Sequence, residues 1–469
     1  MPDTVWEAFR AHGRSRPDRC AVRTDGSMIS YRELARRVES LIAGLPAVPA
    51  GGAVGVLTDD PFVALQAFLA ASAIGCVFVP LGTDHPEARR QQILDDVDAH
   101  VVLTGDHDGK VVVRDIRSAA RPAGRFDNVA YVYFTSGSTG RPKGVMISVA
   151  ALSERLAGLA RWPGLNEDDA ILALTHPTFD IFIAETLLPL TVGAGIVTSR
   201  WRSRSDIRGI ADVVARARPT VVQATPSWWR LALGAGLQPR GERIWCGGEA
   251  MSPALARRLL AGSPRVFNVY GPTEATIWCS AAEITDPDTI RLGRPVPGVR
   301  LEVDGEDGEG ELVIHGSGLA DGYVDRPEET ARAFRTDDTG RVVAYRSGDR
   351  VLRLGDGSLE FRGRLDRQVK VRGNRLELGE VESFLEGHPQ VIECAVEVAA
   401  DESGESLSLV AFIVARGEVS AVELRRWLRE RLPDGHVPAH IRFTGAMPRT
   451  TAGKLDRIAL GAQANQFIS

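Results

Sequence analysis

Between Ala53 and Thr104 the chain switches hydrophobic period again and again. A short apolar run, AVGVLT (Ala53–Thr58), gives way to DPFVALQAFLAASAIG, helical in spacing from Pro61 to Gly75. CVFVPL, PEARRQQILDD and AHVVLT then repeat the strand–helix–strand order. Short apolar runs bounded by turn residues read as strands buried on both faces, and the segments between them as helices. That rhythm permits few topologies: a mostly parallel sheet with helices packed on its faces. It resumes in AILALT, TVVQAT and RIWCGG, so an α/β architecture is predicted for most of the N-terminal half.

From Arg291 the texture changes to glycine-rich hairpins, RLEVDGEDGEGELVIHGSGLADGY and RVLRLGDGSLEFRGRLDRQVKV, which predict an antiparallel or barrel-like subdomain. The last hundred or so residues read β–α–β–β–α, a small α+β unit. The charged turn GRLDR separates the two textures, so domains are expected at 1–365 and 366–469. A chain of 469 residues is long enough for both.

Composition removes several functions. A net charge of −5 gives no nucleic-acid surface. No apolar run reaches the roughly 18–20 residues of a membrane span, and the N-terminal segment has no signal-peptide core. Cys20, Cys76, Cys246, Cys279 and Cys394 are widely spaced, without metal-type pairs, as expected of free thiols in a reducing cytoplasm. The expectation is a soluble cytoplasmic protein that binds neither nucleic acid nor membrane.

The chemistry is concentrated in YVYFTSGSTGRPKGVMI, Tyr131 to Ile147. Consecutive Gly, Ser and Thr let backbone N–H groups and hydroxyls converge on an anion, and Lys143 adds a point charge. It is not a Walker A loop, because Gly144 stands where a magnesium-binding Ser or Thr would be needed. A solvated hairpin would not need the nine turn-type residues TSGSTGRPK between two apolar runs.

YFTSGSTGRPKGVMI resembles the signature phosphate loop of the adenylate-forming superfamily, which includes acyl-CoA synthetases, luciferases and nonribosomal peptide synthetase adenylation domains. Further blocks similar to that family's follow in order: ISYRELARR (Ile29–Arg37), THPTFDIFIAETLLPL (Thr175–Leu190), NVYGPTEATIW (Asn268–Trp278) and GELVIHGSGLADGYVDRPEET (Gly310–Thr330). YRSGDR (Tyr345–Arg350), GRLDRQVKVRGNRLELGEVE (Gly363–Glu382) and TTAGKLDR (Thr450–Arg457) complete the set. The resemblance covers almost the whole chain. It implies a large N-terminal domain of doubly wound sheets plus a β-barrel-like subdomain, and a small mobile C-terminal domain.

The implied reaction joins a carboxylate to ATP, giving acyl-AMP and pyrophosphate with Mg2+ as cofactor. By resemblance, Thr135, Ser136, Gly137, Ser138, Thr139, Gly140 and Lys143 wrap the β- and γ-phosphates. Glu274 would hold the metal, with Thr273 near the α-phosphate. Lys454 would bridge substrate carboxylate and α-phosphate, the electrostatic stabilisation that such a reaction needs most. Asp349 would accept the ribose hydroxyls, Tyr270 stack on adenine, Asn268 bond its amino edge, Phe361 cover it, and Arg364 approach ribose or phosphate. Gly248 is expected at the nucleotide too. Asp366 matches the family's hinge, about which the small domain swings between half-reactions.

Asp180, in the sequence TFD, resembles the aspartate with which the amino-acid-activating branch pairs the substrate ammonium. A buried carboxylate calls for a cationic partner, although an N-cap for the apolar run that follows is an alternative role. Motif alignment places Ile181, Ala184, Ala224, Trp245, Gly247, Val269, Ile277 and Trp278 beside it. None carries a charge or an amide, which favours a small neutral amino acid, of the glycine or alanine type. Trp245 serves this argument only if it faces the pocket.

No phosphopantetheine-attachment sequence follows Lys454 and no condensation motif precedes Tyr31. The expected partner is a separate carrier protein, with coenzyme A as the alternative acceptor and a small MbtH-like activator as a further candidate. A CoA ligase for a small carboxylic acid is the competing enzyme; a non-catalytic homologue would have no need of Lys143, Glu274, Asp349 and Lys454 together. At Gly82 and Thr83 the chain departs from the family's Leu-Asp-Pro opening.

Overall fold

The computed structural model describes residues 4–24, 26–106, 109–116, 124–137, 141–199, 206–240, 242–371, 374–401, 407–450 and 455–468. The chain divides into two compact units. The first comprises Met1–Thr83, Leu94–Phe134 and Gly144–Leu365; the second, Asp84–Ile93, Thr135–Lys143 and Asp366–Ser469.

In the first unit, the strands Ala53–Leu57, Val77–Leu81 and Val101–Gly105 run parallel, as their alternation with helices demands. They form the centre of a seven-stranded sheet that continues through Val129–Thr135. Pro61–Ala73 is the helix between the first two, and every residue from Pro61 to Ala71 is buried. A helix apolar all round has no face for solvent. Pro61 opens it, and the Asp60 carboxylate accepts from Phe62 N at 2.8 Å, so the first turn is capped.

A nine-stranded sheet carries the residues of greatest interest. Ala170–Leu172, Val221–Ala224, Arg243–Gly247 and Arg265–Tyr270 are parallel neighbours, and Ser280–Glu283 closes antiparallel on the last. Side chains alternate between two cores. Trp245, Phe267 and Val269 join the large central cluster, while Ile244, Cys246 and Val266 join a second on the opposite face. The glycine-rich hairpins form a five-stranded antiparallel sheet, in which Val342–Arg353 lies between Glu309–Gly316 and its other neighbours.

In the second unit, a hairpin (Gln368–Val371 with Asn374–Glu377) leads into the helix Leu378–Glu386. Val391–Ala400 and Leu407–Ala415 pair antiparallel, followed by the helix Ala421–Arg429. Two further elements go beyond the sequence reading. His440–Phe443 adds a third strand, parallel to Leu407–Ala415, and Arg457–Ile468 is a helix buried through Leu460 and Ala464. A four-residue strand is too short to show a period, and the helix has only those two fully buried anchors.

Candidate active site

The nucleotide candidates of the first unit are set by strand register. Asp349 stands opposite Arg364 across the pair formed by Val342–Arg353 and Leu359–Arg364. Arg364 Nη1 donates to Asp349 Oδ1 at 2.6 Å, and the Tyr270 hydroxyl donates to Oδ2. Burial and the adjoining carboxylate hold that hydroxyl well above the ordinary tyrosine range, so it remains a donor. The main chain at this residue is held in turn by Asp349 N donating to Ser347 Oγ at 3.1 Å. Each oxygen keeps a second lone pair, which suits a vicinal diol. Asn268 Nδ2 donates to Arg291 O at 2.7 Å, so the amide is oriented with Oδ1 as its acceptor end. Phe361 is exposed on its strand, as a ring that covers a ligand must be.

Thr273 and Glu274 begin a single 3-10 turn. Glu274 is fully buried, and its Oε1 accepts from the Tyr323 hydroxyl at 2.9 Å. Thr276 and Ile277, both β-branched, follow at φ +55° and +68°. That conformation is sterically costly for such side chains and persists only where surrounding contacts impose it. Gly271 is one of those contacts: a Cβ there would lie 2.0 Å from Ile277 O.

Asp180 is buried, and although it occupies the N-cap position of the helix Ile181–Val192, its side chain makes no capping bond. The N-cap alternative is thereby removed. Its backbone is helical, at φ −63° and ψ −20°, whereas a capping side chain needs an extended one. The turn before it is fixed by His176. Thr178 N donates to His176 Nδ1 at 3.2 Å, so the other ring nitrogen, Nε2, carries the proton towards Asp59 Oδ1 at 2.7 Å. Thr83, where the chain departs from the family pattern, donates through its hydroxyl to the second oxygen of Asp59.

Ala184, Trp245, Val269, Ile277 and Trp278 belong to the central cluster, with Ile181 packed against it. Trp245 thus lies on the same sheet face as Val269. A Cβ built on Gly247 would lie 2.0 Å from Val269 O, so only glycine fits. One built on Gly248 would already stand 3.8 Å from Trp278 Cη2 and 3.9 Å from Ile181 Cδ1.

Ala224 needs correcting: it packs against the second cluster, on the opposite face. The alternation of the Val221–Ala224 strand brings its neighbour Gln223 to the Trp278 side instead. Trp278 Nε1 donates to Gln223 Oε1 at 2.6 Å, and Gln223 Nε2 donates to Glu185 Oε1 at 3.1 Å. An amide thus stands beside Trp278, where the sequence reading expected none, and its polar atoms are already engaged. A lone glutamine in the apolar run TVVQAT was the available signal.

The phosphate loop falls in the second unit. Ser138, Thr139 and Gly140 lie outside the described residues, as does Lys454. Of the rest, Thr135 Oγ1 donates to Lys143 O at 3.5 Å, and a Cβ on Gly137 would lie 2.1 Å from Arg141 O. Ser136 Oγ donates to Arg375 O at 3.0 Å and accepts from Glu377 N at 3.1 Å. Asp366 opens the longest segment of this unit, its carboxylate accepting from Gln368 N at 3.1 Å.

The AMP-binding enzyme family matches residues 9–324, and the AMP-binding enzyme C-terminal domain matches residues 380–454. The chain is 33% identical to a dimodular nonribosomal peptide synthase of Bacillus subtilis, over 98% of this chain and 21% of that protein. It spans less than half the length of that relative and of the other curated relatives it matches. Holo-AB3403, a four-domain nonribosomal peptide synthetase solved bound to AMP and glycine, is similar at 34% identity and a TM-score of 0.69. That match covers 97% of this chain and 36% of the other. PA1221, a protein with adenylation and PCP domains, is similar at 26% identity and a TM-score of 0.82, over 97% and 84% of the two chains. A family match over more than half of the sequence, supported by these relatives, makes the chain a member of the AMP-binding enzyme family, an AMP-forming ligase of the adenylation-domain type.

Proposed function

We propose that the chain activates a small neutral amino acid, of the glycine or alanine type, as its aminoacyl-AMP. The acyl group then passes to the phosphopantetheine thiol of a carrier protein in natural-product biosynthesis. The observation that carries this reading is Asp180, a buried carboxylate not spent on capping its own helix. Such a group suits a ligand ammonium. The volume filled by Trp245, Ile277 and Trp278 among the proposed lining residues favours a small side chain. The relative solved with AMP and glycine, and the one that joins adenylation and PCP domains, support the substrate class and the carrier.

In this reading a carboxylate oxygen of the amino acid attacks the α-phosphorus of ATP and pyrophosphate leaves. Tyr270, Asn268, Phe361 and Gly248 hold the adenine, Asp349 the ribose diol, and Arg364 keeps Asp349 aimed. Thr135 to Lys143 take the terminal phosphates, Thr273 the α-phosphate, and Lys454 the charge developing between carboxylate and phosphorus. The buried Glu274 carboxylate is a hard-oxygen donor of the kind Mg2+ takes alongside phosphates. Mg2+ held there would supply neutralisation of phosphate charge. In this reading Asp366 is the hinge used between the two half-reactions.

The test is ATP–pyrophosphate exchange over the common amino acids, D-alanine, β-alanine and simple acids, with and without an MbtH-like activator. Asp180→Ala and Lys454→Ala are measured beside it. Exchange with glycine or alanine, lost in both variants, is the expected result. Exchange only with acids that lack an amine overturns the amino-acid reading in favour of a CoA ligase.

A further inference from the structure

Glu185 is fully buried on the helix that Asp180 precedes, and the reading above gives it no task. An ionised carboxylate in such a place is costly unless donors surround it. Here they do. Oε2 accepts from Leu174 N at 2.8 Å and Thr175 N at 2.7 Å; Oε1 accepts from Thr175 Oγ1 at 2.6 Å and Gln223 Nε2 at 3.1 Å. Burial lifts this carboxyl to about 7 against the pull of all four donors, so the ionised form, whose lone pairs these donors occupy, is the one that prevails above that pH.

The fourth donor has a consequence further on. The Trp278 indole N–H is buried and must find an acceptor, which Gln223 Oε1 provides at 2.6 Å. An amide can turn end for end, and the two orientations are not equivalent here. As placed, the Gln223 NH2 meets the Glu185 carboxylate and, at 3.5 Å, the Ile181 carbonyl. Turned over, its oxygen would face the carboxylate and its NH2 would face the indole N–H, giving two repulsive contacts. A negative charge at Glu185 therefore determines which end of Gln223 reaches Trp278.

We propose that Glu185 is a positioning residue for substrate selection: through Gln223 it fixes the Trp278 ring, and so limits how large a side chain the pocket admits. The inference rests on the reading that Trp278 faces the substrate side chain. The same carboxylate holds Leu174 and Thr175, which lead into the Asp180 turn, so ammonium anchor and side-chain wall share one support.

Glu185→Gln is the informative change, because it keeps shape and removes charge. Its oxygen remains with the two backbone N–H groups, so its NH2 is directed at Gln223. Gln223 then turns over, and the indole loses its acceptor. The expected result is a drop of about five- to tenfold in preference for the best amino acid over its homologue one methylene larger. The KM for that amino acid rises, and the KM for ATP stays within about twofold.

The swap Glu185→Gln/Gln223→Glu restores an acceptor for the indole and is expected to recover most of the preference. Trp278→Phe abolishes the dependence, so adding Glu185→Gln to it changes the preference no further. The 15N-indole resonance of Trp278, identified by its loss in Trp278→Phe, reads the relay without any substrate and is expected to shift in Glu185→Gln and return in the swap.

Equal loss of exchange for all amino acids, or an unmoved Trp278 resonance, overturns the inference. Failure of the glycine or alanine reading looks different: the unaltered protein then prefers another acid, while the resonance shift in Glu185→Gln persists.

Discussion

Asp349 and Arg364 face each other across two antiparallel strands, with 2.6 Å between Oδ1 and Nη1, and the Tyr270 hydroxyl closes the other oxygen. Two neighbouring strands and a tyrosine 79 residues away meet at one carboxylate. Arg364→Ala leaves Asp349 with its charge uncompensated, at a cost of about 2 kcal/mol or more in nucleotide binding. In pyrophosphate exchange the KM for ATP should rise at least tenfold, with a much smaller change in the KM for the amino acid.

Asp180→Asn keeps the volume and removes the charge that would pair with an ammonium. A hydrogen-bonded ion pair of this kind is worth about 2–3 kcal/mol. The value of kcat/KM for the amino acid should fall by about 30- to 100-fold, with ATP binding measured by calorimetry unchanged.

Gly248 stands at φ +86°. Gly248→Ala strains the backbone by about 1 kcal/mol and places a methyl in contact with Trp278 and Ile181. A small loss in melting temperature should accompany a disproportionate loss of exchange with alanine relative to glycine.

Asp59 ties the Asp180 turn to the segment that ends at Thr83. Burial alone would raise its pKa, but hydrogen bonds from His176 and Thr83 override this and hold it at about 2, below the ordinary 3.8. A lowered carboxyl stabilises the fold above its ordinary value, and that contribution disappears as pH falls through about 2. The melting temperature of the unaltered protein should therefore exceed that of Asp59→Asn near neutrality. Titration from pH 5 downwards should narrow the gap, most of the change falling between pH 4 and 2.

The sequence showed most where period and burial agree. Pro61–Ala73 and its flanking strands were legible because a helix apolar all round and runs such as CVFVPL fit no other arrangement. The pocket was harder. Alignment by motif named Asp180 and Trp278, but at Ala224 it stood one residue from Gln223, the side chain that meets Trp278, and in a strand a shift of one residue exchanges the two faces. Glu185 was hidden for a different reason: its partners come from residues 174, 175 and 223, a convergence that no local pattern contains. His440–Phe443 was missed because four residues carry too little period to separate a strand from a loop.

The left-handed pair Thr276–Ile277 bears on how selectivity can be transferred between relatives. If Ile277 and Trp278 line the pocket as proposed, that wall owes its position to a bent main chain, locked against Gly271, and not only to the side chains on it. Exchanging Ile277 and Trp278 for another enzyme's residues would move the side chains and leave the bend behind. Redesign of this pocket has to treat Gly271 through Trp278 as one unit, carried over whole.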